Sequence, residues 1–373
     1  MTYARARLLL GTSCVGTIVV LCALSLWLGL PQEYFSPSPQ SLKDTVTELL
    51  PFFLLVNLIL FPFELLGGLI LPKQFARIDL TLTQFLGTLS RAAVIHLGFS
   101  LSLAALVIFT ANSFSPLFGF FVLVAALLLL IILQGPLAFF IKPPKALEPI
   151  KNQQLPDIIN VDMIGESYTG GVAGFPGFEN IYSPKNWQKD LSEQGWTEQI
   201  KRKQLLILKG LRTKGVLAAT LFVTTGIIIS LAPSGSSLLT VAGLVNMTLW
   251  FTLWSFIGLL ILPKLSREAV FAADKLEPIL DQKEFIKTLN KLEELQDGEP
   301  NRTVAIESVF HPVPSVTRRQ QNLEANQTNP SPIVLWNLAR MSIFLSWVGF
   351  NPLSRAVHCN CGRPHLWVFL PTD

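Results

Sequence analysis

Residues 238–274 read LLTVAGLVNMTLWFTLWSFIGLLILPKLSREAVFAAD. As far as Leu262 this stretch holds no charged side chain, and crossing the hydrocarbon core of a bilayer takes about 20 predominantly apolar residues. Pro263 and Lys264 then mark an exit, because proline interrupts a helix and lysine anchors at headgroup depth. From 266 to 274, small and apolar residues alternate with charges at helical spacing, which predicts a helix directly after the span.

Five further stretches have the same composition. Residues 8–30 and 113–141 carry no charge, 49–71 carries one acid, and 92–112 and 216–232 complete the set. The reading is six transmembrane helices, the last two forming a hairpin at 216–262. The chain is 50% hydrophobic and only 14% charged, against about 25% charged in an average soluble domain. The fold expected is therefore an α-helical polytopic membrane protein with a mainly helical cytoplasmic domain. Its parts are a four-helix transmembrane region (1–141), a cytoplasmic segment (142–215), the hairpin (216–262) and a cytoplasmic helical segment (263–320). A linker, an interfacial helix and a Cys/His tail fill 321–373. A net charge of +4 is too slight to argue for nucleic acid. The lipid bilayer is the first partner implied, and a membrane protein or peptide the second.

Basic residues sit where spans leave the membrane. Arg5 and Arg7 precede the first span, which reads as a signal anchor, and place the N-terminus in the cytoplasm by the positive-inside rule. Lys73, Arg77 and Arg91 (against Asp79), Lys142 and Lys145, Lys209, Arg212 and Lys214, and Lys264 and Arg267 all mark inward ends. The connection at 31–47 carries Lys43 against Glu33 and Asp44, and those at 112–116 and 233–237 are uncharged, so all three face outward. Both polar regions and both termini then lie in the cytoplasm, and the membrane is the plasma or inner membrane if the source is bacterial. The exit at 69–73, Leu-Ile-Leu-Pro-Lys, repeats at 260–264. Duplication and shared exit chemistry both account for it.

Polar groups inside apolar spans carry information because they are costly there. Glu64 lies within the second span, about 10 Å from its inner end at 1.5 Å per residue, and His96 lies at similar depth in the third. Glu64 pairs in this reading with His96 or Arg91, either as a structural clamp or as a proton or ligand site. Asn57 and Asn246 are interhelical hydrogen-bonding groups. Cys14 and Cys22 lie in the first span as apolar packing residues.

Three segments outside the spans invite chemistry. The glycine-rich run at 165–177 lacks a Gly-Lys-Ser/Thr ending and a dinucleotide fingerprint, so it predicts strand and turn. Residues 277–294 are amphipathic, with Ile279, Leu280, Phe285, Ile286, Leu289 and Leu292 on one face. His358, Cys359, Cys361 and His365 bring two imidazoles and two thiols into eight residues, soft and borderline ligands suited to zinc or copper(I). One short segment wraps a metal poorly, and a Gly/Pro turn that packs Trp367 and Phe369 is the alternative. No cofactor is required elsewhere. Residues 333–350 form an interfacial helix, with Trp336 and Trp347 at headgroup depth, or a seventh span; Arg340 counts against spanning by about 2.5–3.5 kcal/mol.

The run Ser266-Arg267-x-x-Val270-Phe271-x-Ala273-Asp274, followed by His311-Pro312 and Arg318, resembles the HtpX-like and CAAX-prenyl-protease-like membrane zinc metallopeptidases. In that family an S-R-x-x-E-[YF]-x-A-D helix follows a transmembrane hairpin, which follows an H-E-x-x-H helix. The resemblance covers about 160–320 and implies a metallopeptidase-like fold. It also implies a lost site. The family's third zinc ligand falls on Val270, and 197–210, where the zinc helix belongs, contains no histidine. H-E-x-x-H chemistry needs two imidazoles one turn apart and a glutamate to activate water. Ser266, Arg267, Asp274 and His311 then stand as remnants of the motif, with Arg267 and Asp274 salt-bridged or capping within the fold. The function expected is non-catalytic binding or scaffolding of a membrane partner or peptide. The alternatives are a metal-dependent enzyme built on the C-terminal cluster and a small transporter using Glu64 and His96.

Overall fold

The computed structural model describes residues 1–141, 144–150, 156–162, 170–233, 235–276, 281–296, 298–299, 301–325 and 334–359. In chain order, the first elements are α1 (Tyr3–Trp27), α2 (Leu30–Tyr34), α3 (Leu42–Leu65), a π turn (Leu66–Ile70), α4 (Leu71–Gln74), α5 (Leu82–Ser113) and α6 (Pro116–Ile141). Four strands follow: β1 (Ala146–Ile150), β2 (Ile158–Asp162), β3 (Gly171–Ala173) and β4 (Asn180–Pro184). Next come α7 (Trp187–Asp190), α8 (Glu193–Leu208), α9 (Leu211–Leu231), α10 (Val241–Ala273), α11 (Gln282–Leu295), α12 (Val304–Phe310) and α13 (Val316–Glu324). The last elements are α14 (Leu338–Leu345), a 3-10 turn (Ser346–Gly349) and α15 (Leu353–Cys359). Among the described residues, six helices are long and apolar enough to cross a membrane. The chain divides into two units, one of 1–130, 220–257 and 342–367, the other of 131–219, 258–341 and 368–373.

The first unit is a bundle of apolar helices. Side-chain caps start them: Thr2 accepts from Arg5 N at 3.3 Å, Ser41 from Asp44 N at 3.2 Å, and Thr81 with Gln84 closes a reciprocal capping box on α5. The Thr81 cap explains why α5 begins at Leu82, ten residues before the apolar run does, so that much of the expected 73–91 loop is helix. Leu54, Leu55 and Leu58 lie exposed on α3, as lipid-facing residues do. Gly119 lets α6 approach α5: a Cβ there would stand 3.0 Å from Val107 O and from Ala111 Cβ. Small residues at such crossings permit the backbone approach on which membrane helix packing depends. Trp254 of α10 stacks on Phe222 of α9 at 5.0 Å and donates its Nε1–H to the Phe222 carbonyl at 3.2 Å.

The second unit carries a four-stranded sheet of order β1-β2-β4-β3. β1 and β2 run antiparallel, β2 and β4 parallel, and β3 and β4 antiparallel, with Val172 opposite Ile181. β3 lies within the expected glycine-rich strand and turn; residues 165–169 of that run lie outside the described residues. Ile158, Val172 and Ile181 from the sheet pack with Ile200 and Leu206 of α8, Leu211 of α9, Ala269 and Ala273 of α10, and Trp336. α11 buries the expected stripe of Phe285, Leu289 and Leu292, the i, i+4, i+7 spacing of one helix face. Gly195 is required here, because a Cβ would collide with Thr288 of α11.

Two expectations change. Pro263 does not end its helix: α10 continues through it to Ala273, so the sixth span and the Ser266–Asp274 motif share one rod. A helix-interior proline forfeits one backbone hydrogen bond, and neighbouring groups at a membrane exit can take over the freed carbonyl. Pro72 likewise lies inside a continuous helix, which runs from α3 through the π turn to Gln74. The segment expected as an interfacial helix or seventh span at 333–350 holds a shorter helix than a span needs. Its apolar helix is Leu338–Gly349, about 18 Å at 1.5 Å per residue against a core of about 30 Å. Trp336 and Trp347 are 2% and 1% exposed, buried in protein where an interfacial helix would leave them on the surface.

Candidate functional site

The second unit gathers its buried charge around Asp274, at the end of α10. Arg319 of α13 grips this carboxylate with both ends of its fork, Nε to Oδ2 at 2.8 Å and Nη2 to Oδ1 at 2.6 Å. Arg202 of α8 adds Nε to Oδ1 at 3.0 Å. The three side chains are 1–6% exposed. A carboxylate so far from water needs such partners, since an unpaired buried charge is strongly unfavourable. Sequence reading reached Asp274 but neither of its partners.

The other motif residues act along the same rod. Ser266 Oγ accepts from Ala339 N at 2.9 Å. Arg267 Nη1 donates to the carbonyl oxygens of Glu307, Ser308 and His311 at 2.7, 3.0 and 2.9 Å, and so caps the C-terminus of α12. It is the His311 backbone, half-buried, that Arg267 holds. Glu307 in turn accepts from Arg318 Nη1 at 2.6 Å and from Ser315 N at 3.0 Å. One arginine of the Arg318-Arg319 pair thus serves Glu307 and the next serves Asp274.

α8 occupies the place in the chain order where the family resemblance sets a zinc helix. Its buried polar side chains are Gln199, Arg202, Lys203 and Gln204. Lys203 lies with its ammonium 5.3 Å from the centroid of the Trp187 ring. Trp196 Nε1 donates to Ser183 Oγ at 3.1 Å, which ties α8 to β4. Zinc takes imidazole, thiolate or carboxylate ligands. The guanidinium, ammonium and amide groups of α8 are not of that kind, and both Asp274 oxygens accept from arginine. A second buried pair joins Arg212 to the β3–β4 turn: Arg212 donates to Glu179 Oε1 at 3.2 Å and to Gly174 O at 2.8 Å, while Glu179 Oε2 accepts from Gly177 N at 2.7 Å. On β4, burial pushes the Tyr182 phenol up from its ordinary pKa.

No protein-family model matches the chain, and no curated protein matches it in sequence. Among solved structures, Ste24p of S. mikatae superposes with a TM-score of 0.62 over 76% of this chain and 76% of its own, at 12% identity. The chain has a Ste24p-like fold. As a fold, the likeness agrees with the resemblance read from residues 266–274 and 311–318. At this identity the Ste24p likeness speaks for architecture: multi-pass helices with a metallopeptidase-like domain between and after them.

In the first unit of this Ste24p-like fold, the intramembrane polar residues meet differently from expectation. Glu64 is held by Arg355 of α15, Nε to Oε1 at 2.9 Å and Nη2 to Oε2 at 2.7 Å. Arg355 also donates Nη1 to Asn57 Oδ1 at 2.5 Å. Asn57 and Glu64 are seven residues apart, two helical turns, and so share a face of α3. The pairing with His96 or Arg91 drawn from adjacency of the second and third spans gives way to a partner 291 residues distant. His96 is buried, edge-on to Trp347 at 4.8 Å between ring centroids. Arg91 is exposed on α5. Cys14 and Cys22 are buried free thiols. His358 and Cys359 belong to α15, but their side chains, like Cys361 and His365 altogether, lie outside the described residues.

Proposed function

We propose that this protein is a non-catalytic descendant of a metallopeptidase-like ancestor that binds or scaffolds a membrane partner or peptide without cutting it. The observation that carries the reading is the use to which the ancestral site is put. Where a peptidase of this architecture needs ligands and a general base, this chain has Val270, a histidine-free α8, and a carboxylate at 274 shared between Arg202 and Arg319. Two guanidinium groups already neutralise the Asp274 carboxylate and would repel a cation beside it, and with no imidazole on α8 and a valine at 270 the donor set for a metal-activated water is missing. What survives is the scaffold, with an exposed rim at the β3–β4 turn where Phe175 and Phe178 stand 40% and 81% exposed. Arg355 on both oxygens of Glu64 counts against the transporter alternative, because the carboxylate already has a fixed partner within the protein.

The test is a pair of measurements on the purified full chain in mild detergent. Incubation with casein and with membrane peptides is expected to yield no cleavage that a chelator abolishes; chelator-sensitive cleavage would overturn the reading. A membrane protein or peptide recovered in stoichiometric amount and uncut, and rebinding after separation, is the positive counterpart.

A further inference from the structure

Between β3 and β4, Phe175-Pro176-Gly177-Phe178 forms a tight turn closed by Phe178 N donating to Phe175 O at 2.8 Å. Proline stands second and Gly177, with φ of 92°, third, as a type II turn requires. The backbone of the tip is satisfied from within. Pro176 has no N–H, Gly177 gives its own to Glu179 Oε2 at 2.7 Å, and the Gly174 carbonyl accepts from Arg212 Nη2 at 2.8 Å. Glu179 and Arg212 form a buried ion pair, so the turn is held rigidly. Phe178 nevertheless stands 81% exposed at its corner, and the ring projects away from the described residues.

Two tethers fix the depth of this tip. Arg212 is the second residue of α9, a helix apolar enough to span. It precedes the apolar run that opens at Val216 by four residues, about 6 Å along the axis. Further along β4, Tyr182 packs on Phe139 of α6 at 5.4 Å between ring centroids, two residues from the end of that helix. The end of α6 and the start of α9 lie on the same side of the membrane, since no span separates them. Both contacts fall where a span leaves the hydrocarbon, so β4 runs along that boundary and the turn lies at it. Lipid-facing surface adjoins it: Ile132 and Phe140 of α6 and Leu217 of α9 are exposed, and so are Lys209 and Lys214 on either side of Arg212. We infer that the β3–β4 turn is a membrane-inserting tip, whose Phe175 and Phe178 enter the interface between headgroups and acyl chains of the leaflet where α6 ends and α9 begins. Aromatic rings favour that depth and lysines anchor beside it. Backbone groups entering lipid must find partners within the protein, and those of this turn do. The tip holds the sheet against the bilayer, and the inference stands whether or not the second unit binds a protein or peptide.

Fluorescence quenching tests it in the full chain, in vesicles of phosphatidylcholine and phosphatidylglycerol, with the four natural cysteines replaced by alanine. Phe178→Cys carries a nitrobenzoxadiazole label at the tip. Lys287→Cys carries the same label on α11, where the side chain is 77% exposed. Neither change removes a buried side chain, so both proteins are expected to fold. Lipids with a nitroxide at the top of the acyl chain are expected to quench at 178 at least about threefold more than at 287, as for a group set about 5–10 Å into the headgroup–acyl boundary. The same lipids are expected to quench at 178 more than lipids with the nitroxide at the chain end, and aqueous iodide is expected to quench more at 287 than at 178. Equal lipid quenching at the two positions would leave the phenylalanines in water, open to a protein partner, and overturn the inference. Strongest quenching at 178 by the chain-end nitroxide would overturn it as well, by placing the turn in the hydrocarbon core.

Discussion

Replacing Asp274 by alanine removes three charge-assisted hydrogen bonds, from Arg202 Nε and from Arg319 Nε and Nη2, at 3.0, 2.8 and 2.6 Å. It leaves two guanidinium groups buried together, the Arg202 and Arg319 side chains being 6% and 4% exposed. Breaking a buried ion pair from one side costs about 3–5 kcal/mol, mostly as the penalty of the stranded charge. With about 2–4 °C of midpoint per kcal/mol for a domain of this general size, the thermal midpoint of the detergent-solubilised protein is expected to fall by about 10 °C. Asp274→Asn keeps the shape but not the charge, and is expected to fall nearly as far. The control is the triple variant Arg202→Met, Asp274→Leu, Arg319→Met, expected to stay within about 2 kcal/mol of the natural protein, because apolar side chains of similar volume can replace a buried ionic cluster without loss. A loss under about 1 kcal/mol in Asp274→Ala, which is the scale of a surface pair, would show the cluster to be hydrated and refute the reasoning. So would a triple variant as unstable as the single one.

Gly215→Ala is expected to destabilise by about 1–3 kcal/mol, because the new Cβ would collide with the Trp336 carbonyl; a thermal melt checks it, and a neutral result would mean that α9 and the turn at Trp336 can part. Reporter fusions after Lys145, Lys264 and Asp373 are expected to read cytoplasmic, in line with basic residues at every inward exit; an outward reading at Asp373 alone would turn the C-terminus over. Purified protein is expected to carry no zinc or copper. Near-stoichiometric metal, lost in Cys359→Ser, Cys361→Ser and weakening as pH falls and the thiolates protonate, would instead promote a metal-dependent enzyme built on His358, Cys359, Cys361 and His365.

What the sequence determined by itself was everything that depends on local composition and period. Six apolar runs specify six membrane helices, since each must satisfy its own backbone in lipid. The spacing of Phe285, Leu289 and Leu292 specifies the buried face of α11. The Ser266–Asp274 motif specifies a helix, a position after a hairpin and a resemblance that the Ste24p-like fold bears out. Only the tertiary structure decided the pairings. Asp274 finds Arg202 and Arg319 at separations of 72 and 45 residues, and Glu64 finds Arg355 at 291. Such contacts depend on how helices are rotated and packed, which no local pattern encodes, and adjacency in the chain pointed to His96 and Arg91 instead. The segment at 333–350 shows the limit most plainly. Lipid tails and protein interiors are equally apolar, so a helix enclosed by protein and a helix facing the bilayer have the same composition, and only packing tells them apart.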